Sequence, residues 1–308
     1  MPWLQLRIDS SKQDADKVEQ AMLNNGALSI TLEDNANQPI LEPKLGTTPL
    51  WQQTRVTALF EADIDSETTL AKVQRDFNES RYTKTDTETN AAEQTQLASY
   101  WHIVEDKDWE REWMDHYHPI QCADNFWICP SWKDAPDPKA VNLKLDPGLA
   151  FGTGTHETTF LCLQWLAGQQ LQDKYIIDYG CGSGILGIGA LLMGAATAIG
   201  IDIDPQALLA TADNVERNGI SRERFPVYFP DKQPKSKADV VFANILAGPL
   251  VTLAPKICEL LAPKSLLCLS GILASQQESI VEAYTPFINI DQINTKNGWI
   301  CVTGHSRG

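Results

Sequence analysis

The chain has 308 residues and a formal net charge of −15, from 40 Asp and Glu against 25 Lys and Arg. An acidic surface of this size repels phosphate backbones, so direct binding to duplex DNA or ribosomal RNA is not expected. Apolar residues make up 43% of the chain, and no apolar run approaches the roughly 20 residues of a membrane span, which predicts a globular protein with room for one Rossmann-sized domain and a smaller one.

The first hundred residues alternate in a recognisable order. Trp3-Leu-Gln-Leu-Arg-Ile reads as a strand with Leu4, Leu6 and Ile8 on one face. Lys12 to Asn25 follows a helical period through Val18, Ala21 and Met22, and Gly26 is placed to close it. Ala27–Leu32 and Arg55–Ala62 are predicted strands, and Ser66–Phe77 is a predicted helix with Ser66 and Thr69 at its start. Tyr100-Trp-His-Ile-Val supplies a fourth strand. The order β-α-β-β-α-β predicts a small α+β ferredoxin-like domain over residues 1–104. Nothing in it has catalytic character, so its expected role is substrate recognition. Asp106 to His118 is expected to form a charged linker helix with Trp109 and Trp113 on one face, within a linker over residues 105–121. His116 and His118 flank Tyr117 with no third ligand nearby, which disfavours a metal site.

Residues 122–308 are expected to form the second domain. Leu145-Asp-Pro-Gly-Leu-Ala-Phe-Gly152-Thr-Gly154-Thr-His-Glu-Thr-Thr159 is rich in Gly and Thr and ends where an apolar helix begins. Its hydroxyl and N–H groups suit a carboxylate, and its glycines predict a loop that opens and closes. The bland alternative is an N-capping run of Thr155 with Thr158 and Thr159, and His156 reads as a polar liner before an acid or base.

From Tyr175 an apolar run breaks into Gly180, Gly182 and Gly184, and a second apolar run ends on Asp202. This pattern predicts a strand, a tight turn, a helix, and a second strand whose acid accepts ribose hydroxyls. Gly182-Ser-Gly184-Ile-Leu-Gly187 fits a dinucleotide fingerprint, while Asp178-Tyr-Gly180-Cys-Gly182-Ser-Gly184 fits the acid-x-G-x-G-x-G turn of S-adenosylmethionine (SAM) enzymes. Two later segments separate them. Ala238-Asp-Val-Val-Phe-Ala-Asn244 is a strand that delivers an Asn over the same crevice, where its carboxamide can hold an amine; the bland alternative is a cap for the next helix. The usual Pro-Pro-aromatic continuation is replaced here by Ile-Leu-Ala. Finally, Phe287–Ile293 and Gly298–Thr303, joined by Thr-Lys-Asn-Gly, predict an antiparallel hairpin closing a parallel sheet. Dinucleotide dehydrogenases lack that hairpin, so the expected cofactor is SAM.

Taken with Asp106–Trp113, Trp127-Ile-Cys-Pro-Ser-Trp132, Gly200-Ile-Asp-Ile-Asp-Pro205, Ala243-Asn-Ile-Leu-Ala-Gly-Pro249 and Ser270-Gly-Ile-Leu-Ala274, these blocks resemble the ribosomal protein L-eleven methyltransferases, the PrmA family. The resemblance runs from Pro2 to the terminal hairpin, and only residues 84–96 carry no family motif. It implies a Rossmann-like SAM-methyltransferase sheet and trimethylation of lysine and N-terminal amines on one large-subunit ribosomal protein. Motif by motif, it implies cofactor contacts at Thr159, Gly180, Asp202 and Asn244, with Gly182 in the same turn. Asn244 is the residue expected to orient the amine. Methyl transfer to another protein or to a small-molecule amine is the alternative, and a non-enzymatic SAM- or NAD-binding regulator stands behind it.

The charge is uneven: residues 1–150 hold 26 acids and 14 bases, while residues 151–308 hold 14 and 11. A basic ribosomal protein is therefore the expected partner, with no nucleic acid and no membrane, and a monomeric enzyme is expected. The amino terminus lacks the features of a signal peptide, and seven Cys without C-x-x-C spacing fit free thiols, so a cytoplasmic protein is expected. Cys181 reads as a small filler of the turn.

Overall fold

Period-two alternation places Leu6 and Ile8, both fully buried, on one face of β1 (Trp3–Ser11). They pack under α1 (Ala15–Asn24), whose buried residues Ala15, Val18, Ala21 and Met22 follow a helical period. Gly26 ends this helix at φ 94°: its N–H donates to the Leu23 carbonyl at 3.2 Å, and Ala27 N–H donates to the Met22 carbonyl at 3.1 Å. That pair of bonds satisfies the last carbonyls in the Schellman arrangement expected of a glycine there. The chain continues through β2 (Ser29–Asp34), β3 (Gln53–Glu61), α2 (Ser66–Arg81) and β4 (Ala98–Val104). The sheet order is β2-β3-β1-β4 with every neighbour antiparallel, the ferredoxin-like arrangement. The start of α2 is capped by Asp65, not by Ser66, since Asp65 Oδ1 accepts Thr68 N–H at 2.7 Å.

The computed structural model describes residues 2–36, 38, 40, 47–81, 95–105, 114, 117–146, 151–152 and 154–307, and it divides into two units, Met1–Trp113 and Met114–Gly308. Most of the linker helix expected over 106–118 lies outside the described residues, Trp109 and Trp113 included, and so does most of the segment 84–96.

The second unit opens with a small sheet that the sequence pattern did not announce. Its strands, β5 (Ile120–Ala123), β6 (Phe126–Cys129) and β7 (Val141–Lys144), are each four residues long, too short for a periodicity signal. The large sheet then forms around α3 (Glu157–Ala167), β8 (Tyr175–Tyr179), α4 (Ile185–Leu192), β9 (Thr197–Ile201), α5 (Pro205–Arg217), β10 (Val227–Tyr228), β11 (Ala238–Asn244), α6 (Ala247–Glu259), β12 (Leu261–Leu273), α7 (Gln277–Tyr284), β13 (Ile288–Lys296) and β14 (Trp299–Ser306). Strand order is β10-β9-β8-β11-β12-β14-β13, parallel from β10 to β12. The hairpin turns at Asn297 (φ 48°) and Gly298 (φ 83°), both left-handed as a two-residue primed turn requires. Its second strand, β14, lies between β12 and β13 and is antiparallel to both.

Successive side chains of the central strands serve two cores. Ile176, Val240, Phe242 and Cys268 pack with Leu163, Leu166 and Ile188 on one face. Ile177, Val241, Ala243, Leu267 and Leu269 pack with Leu250, Ile257, Ile280 and Tyr284 on the other. A sheet covered on both faces needs strands apolar at nearly every position, which is how β8, β9 and β11 read. Among the described residues no helix is long and apolar enough to cross a membrane.

Candidate active site

The strand order reverses at β8, so the crevice lies outside the carboxyl ends of β8, β9 and β11. All five expected site residues sit on or just beyond these strands or at the first turn of α3.

The glycine turn joins β8 to α4. Gly180 has φ 77°, and a Cβ there would stand 2.2 Å from Ile245 Cγ2, so the position excludes any side chain twice over. Gly180 and Cys181 N–H both donate to the Ile201 carbonyl, at 2.7 and 3.1 Å, tying the turn to the end of β9. Gly182 N–H donates to Asp202 Oδ2 at 2.9 Å, and Asp204 N–H donates to Asp202 Oδ1 at 3.0 Å. Two backbone donors thus fix the carboxylate while each oxygen keeps a further lone pair for hydroxyls. The Gly182 N–H is committed to this bond. Cys181 is buried and is the filler that the sequence suggested: its sulfur lies 3.4 Å from Thr211 Oγ1, and burial pushes its thiol far above the ordinary range.

Asp178 lies at 1% exposure and accepts Gly187 N–H at 3.0 Å, which satisfies one early donor of α4. Burial pushes its carboxyl up to about 7; the Gly187 hydrogen bond opposes this and the Asp202 charge adds to it. A folded value above the unfolded one favours the protonated form in the native state. This contribution to stability is therefore fully present below about pH 4 and lost as pH rises to about 7. The gap between 3.8 and about 7 corresponds to roughly 4 kcal/mol. Asp178→Asn keeps an acceptor for Gly187 and removes the titration. Denaturant unfolding of cofactor-free protein is expected to show the variant gaining on wild type between pH 4 and 7, and a constant difference across that window would refute the assignment.

Asn244 ends β11. Its Nδ2 donates to Thr159 Oγ1 at 3.3 Å, and its Oδ1 is buried with no hydrogen-bond partner among the described residues. The capping alternative fails, because the N-cap of α6 is Leu246. A buried amide oxygen without a donor is costly, and no described residue supplies one here. Thr159, fully buried at the first turn of α3, holds the amide in place.

The N-cap of α3 is His156, not Thr155: Thr158 N–H donates to His156 Nδ1 at 3.3 Å, and Thr158 Oγ1 lies 2.8 Å from the same atom. Its ring stands edge-on to Phe151 and Trp299, with centroids 5.5 and 4.8 Å away. The described part of the Gly-rich loop is docked to the turn, with Ser183 N–H donating to the Phe151 carbonyl at 2.9 Å and Ser183 Oγ donating to the Gly152 carbonyl at 2.7 Å. The loop expected to swing open is held at 151–152 by these two bonds; residues 147–150 and 153 lie outside the described residues.

Three supporting residues escaped the sequence reading. Thr211 Oγ1 donates to the Gly182 carbonyl at 2.9 Å, Asn214 Nδ2 donates to the Ser183 carbonyl at 2.9 Å, and Ser183 itself clamps the loop. The available signal was the spacing of Thr211 and Asn214, three apart and so on one face of α5. Apolar side chains rim the crevice, with Phe151 58%, Ile203 83% and Leu246 45% exposed.

A fixed carboxylate, a backbone-lined turn, an amide oxygen unpaired among the described residues and exposed apolar groups suit a nucleoside joined to a cationic amino acid. The family profile described as ribosomal protein L11 methyltransferase (PrmA) matches residues 2–307. The chain belongs to that family. It is 58% identical over 307 residues to the ribosomal protein L11 methyltransferase of Teredinibacter turnerae, covering 100% of this chain and 98% of that one. Identity is 56% over 304 residues to the protein of the same name from Saccharophagus degradans, with 99% of each covered. The crystal structure of ribosomal protein L11 methylase from Lactobacillus delbrueckii subsp. bulgaricus superposes with a TM-score of 0.56 at 29% identity, covering 62% of this chain and all of that one. The protein is an S-adenosylmethionine-dependent methyltransferase with a Rossmann-like sheet, as the hairpin and the glycine turn together predicted.

Proposed function

We propose that the enzyme methylates lysine side chains and the N-terminal α-amine of ribosomal protein L11, up to three times per nitrogen. In this reading Thr159, Gly180, Gly182, Asp202 and Asn244 form the cofactor site and Asn244 also orients the amine. The observation that carries it is the Oδ1 of Asn244 beside Thr159, buried and without a partner among the described residues. SAM, when bound, supplies an electrophilic sulfonium methyl group. Asp202 accepts the ribose hydroxyls with the lone pairs its backbone donors leave free. Gly182 contributes through that bond, by aiming Asp202. Ile203, the most exposed apolar residue of the rim, offers a surface for the base.

The chain's own task is to present a neutral amine. A lysine of ordinary pKa about 10.4 must lose its proton at a cost of about 4.6 kcal/mol at pH 7. The apolar rim disfavours the charged ammonium by desolvation. An amide oxygen does not titrate in this range, so Asn244 can hold the amine N–H without competing for the proton, leaving the nitrogen lone pair free for the methyl carbon. That single hydrogen bond orients the nitrogen for the first two transfers; the neutral dimethylamine has no N–H left, so its position in the third transfer is set by the walls of the crevice alone.

The first unit is the substrate-recognition module, in a division of residues 1–104, linker 105–121 and 122–308. The excess of acids in residues 1–150 supports a basic ribosomal-protein partner and no direct nucleic-acid contact. A cytoplasmic, monomeric enzyme with no membrane association fits this role. Incubating the enzyme with purified L11 and isotopically labelled SAM, then mapping modified peptides by mass spectrometry, tests the substrate. Label is expected on amine nitrogens only, and an unlabelled L11 would overturn the reading.

Asp202→Ala is expected to weaken SAM binding about 10- to 160-fold, the equivalent of the 1.5–3 kcal/mol typical of hydrogen bonds to a charged group. Calorimetry on a variant that keeps the wild-type melting transition checks this. Unchanged affinity would remove Asp202 from the site.

A further inference from the structure

Three of the seven cysteines, scattered in sequence, converge in space. Cys162 on α3, Cys268 on β12 and Cys301 on β14 place their sulfur atoms within 4.8 Å of one another, with Cys268 and Cys301 Sγ 3.5 Å apart. All three have 0% exposure and belong to the same apolar cluster as Leu166, Val240 and Phe242. Three sulfurs bound pyramidally to one trivalent atom at about 2.3 Å, with angles of about 100°, lie about 3.5 Å from one another, which falls inside the observed spacing.

We propose that Cys162, Cys268 and Cys301 form a buried site for a trivalent thiophile of the arsenous acid class, held as a neutral tris-thiolate. Donor softness excludes magnesium and calcium, which take oxygen ligands. Charge then chooses among the soft ions. Three thiolates around monovalent copper leave a charge of −2, and around divalent zinc −1 with a fourth position unfilled. Around a trivalent centre they leave none, and a dry apolar core penalises any residual charge heavily. The exchange balances without redox chemistry: three As–O bonds break, three As–S bonds form, and each thiol proton leaves with a departing hydroxyl as water.

The test uses the reduced full-length enzyme and sodium arsenite, incubated just below the onset of thermal unfolding so that the core opens locally. After desalting, one arsenic per chain is expected by elemental mass spectrometry. X-ray absorption at the arsenic edge is expected to show three sulfur neighbours and no oxygen. Cys162→Ala, Cys268→Ala and Cys301→Ala should each lower retained arsenic at least tenfold, whereas Cys122→Ala and Cys258→Ala should leave it unchanged. Absence of retained arsenic in the wild type, two sulfurs with one oxygen, or preferential retention of copper(I) or zinc(II) in competition would each overturn the assignment. The coordination measurement on wild type decides the matter even if a core variant fails to fold.

Discussion

Asn244→Ala is expected to slow methyl transfer about 100-fold at saturating SAM while weakening SAM binding much less. The size follows from the cost of misplacing a reacting group by about 1 Å, a factor near 100 in rate. Asn244 Oδ1 is buried without a partner among the described residues, whereas its Nδ2 already donates to Thr159. Removing the side chain therefore takes away an acceptor that no described residue uses. Folding should tolerate the change, since Leu246 and not Asn244 caps α6. Single-turnover rates, paired with calorimetric SAM affinity, separate the two effects. A rate within about twofold of wild type would mean that the amine is oriented elsewhere.

Truncation to residues 114–308 is expected to leave a folded, SAM-binding protein that has lost most of its kcat/KM on intact L11. The two units have cores with no residue in common: Leu6, Met22, Val56, Phe60 and Phe77 in the first, and the clusters on either face of the large sheet in the second. Every residue of the proposed cofactor site lies in the second unit. The first contributes an antiparallel sheet and most of the acidic excess. For the full-length enzyme, KM for L11 should rise with salt, because exposed opposite charges are screened over about 8 Å at physiological ionic strength. Equal kcat/KM for truncated and full-length forms would strip the first unit of its recognition role.

Much of this architecture was legible in the sequence because its signals are local. The β-α-β-β-α-β order follows from apolar period alone, and the Gly26 terminus from one residue's freedom at φ 94°. Gly180, Asp202 and Asn244 each stand at the end of an apolar strand, and strand ends of a parallel sheet meet at one edge. The turn at Asn297 and Gly298 announced the hairpin, which in turn separated SAM from a dinucleotide. Sequence by itself thus determined the fold class and the cofactor, and it put the candidate residues at the ends of neighbouring strands.

Only the tertiary structure decided what each of those residues does with its hydrogen bonds. That Gly182 spends its N–H on Asp202, that Asn244 keeps a bare oxygen, and that His156 displaces Thr155 as the cap of α3 depend on where distant backbones stop. Ser183, Thr211 and Asn214 look like ordinary polar residues until the loop and α5 close on the turn. The meeting of Cys162, Cys268 and Cys301 depends on β14 inserting beside β12, which brings position 301 against position 268 under a helix far earlier in the chain. Periodicity and turn chemistry act over a few residues, whereas these contacts form only once the sheet has set its register.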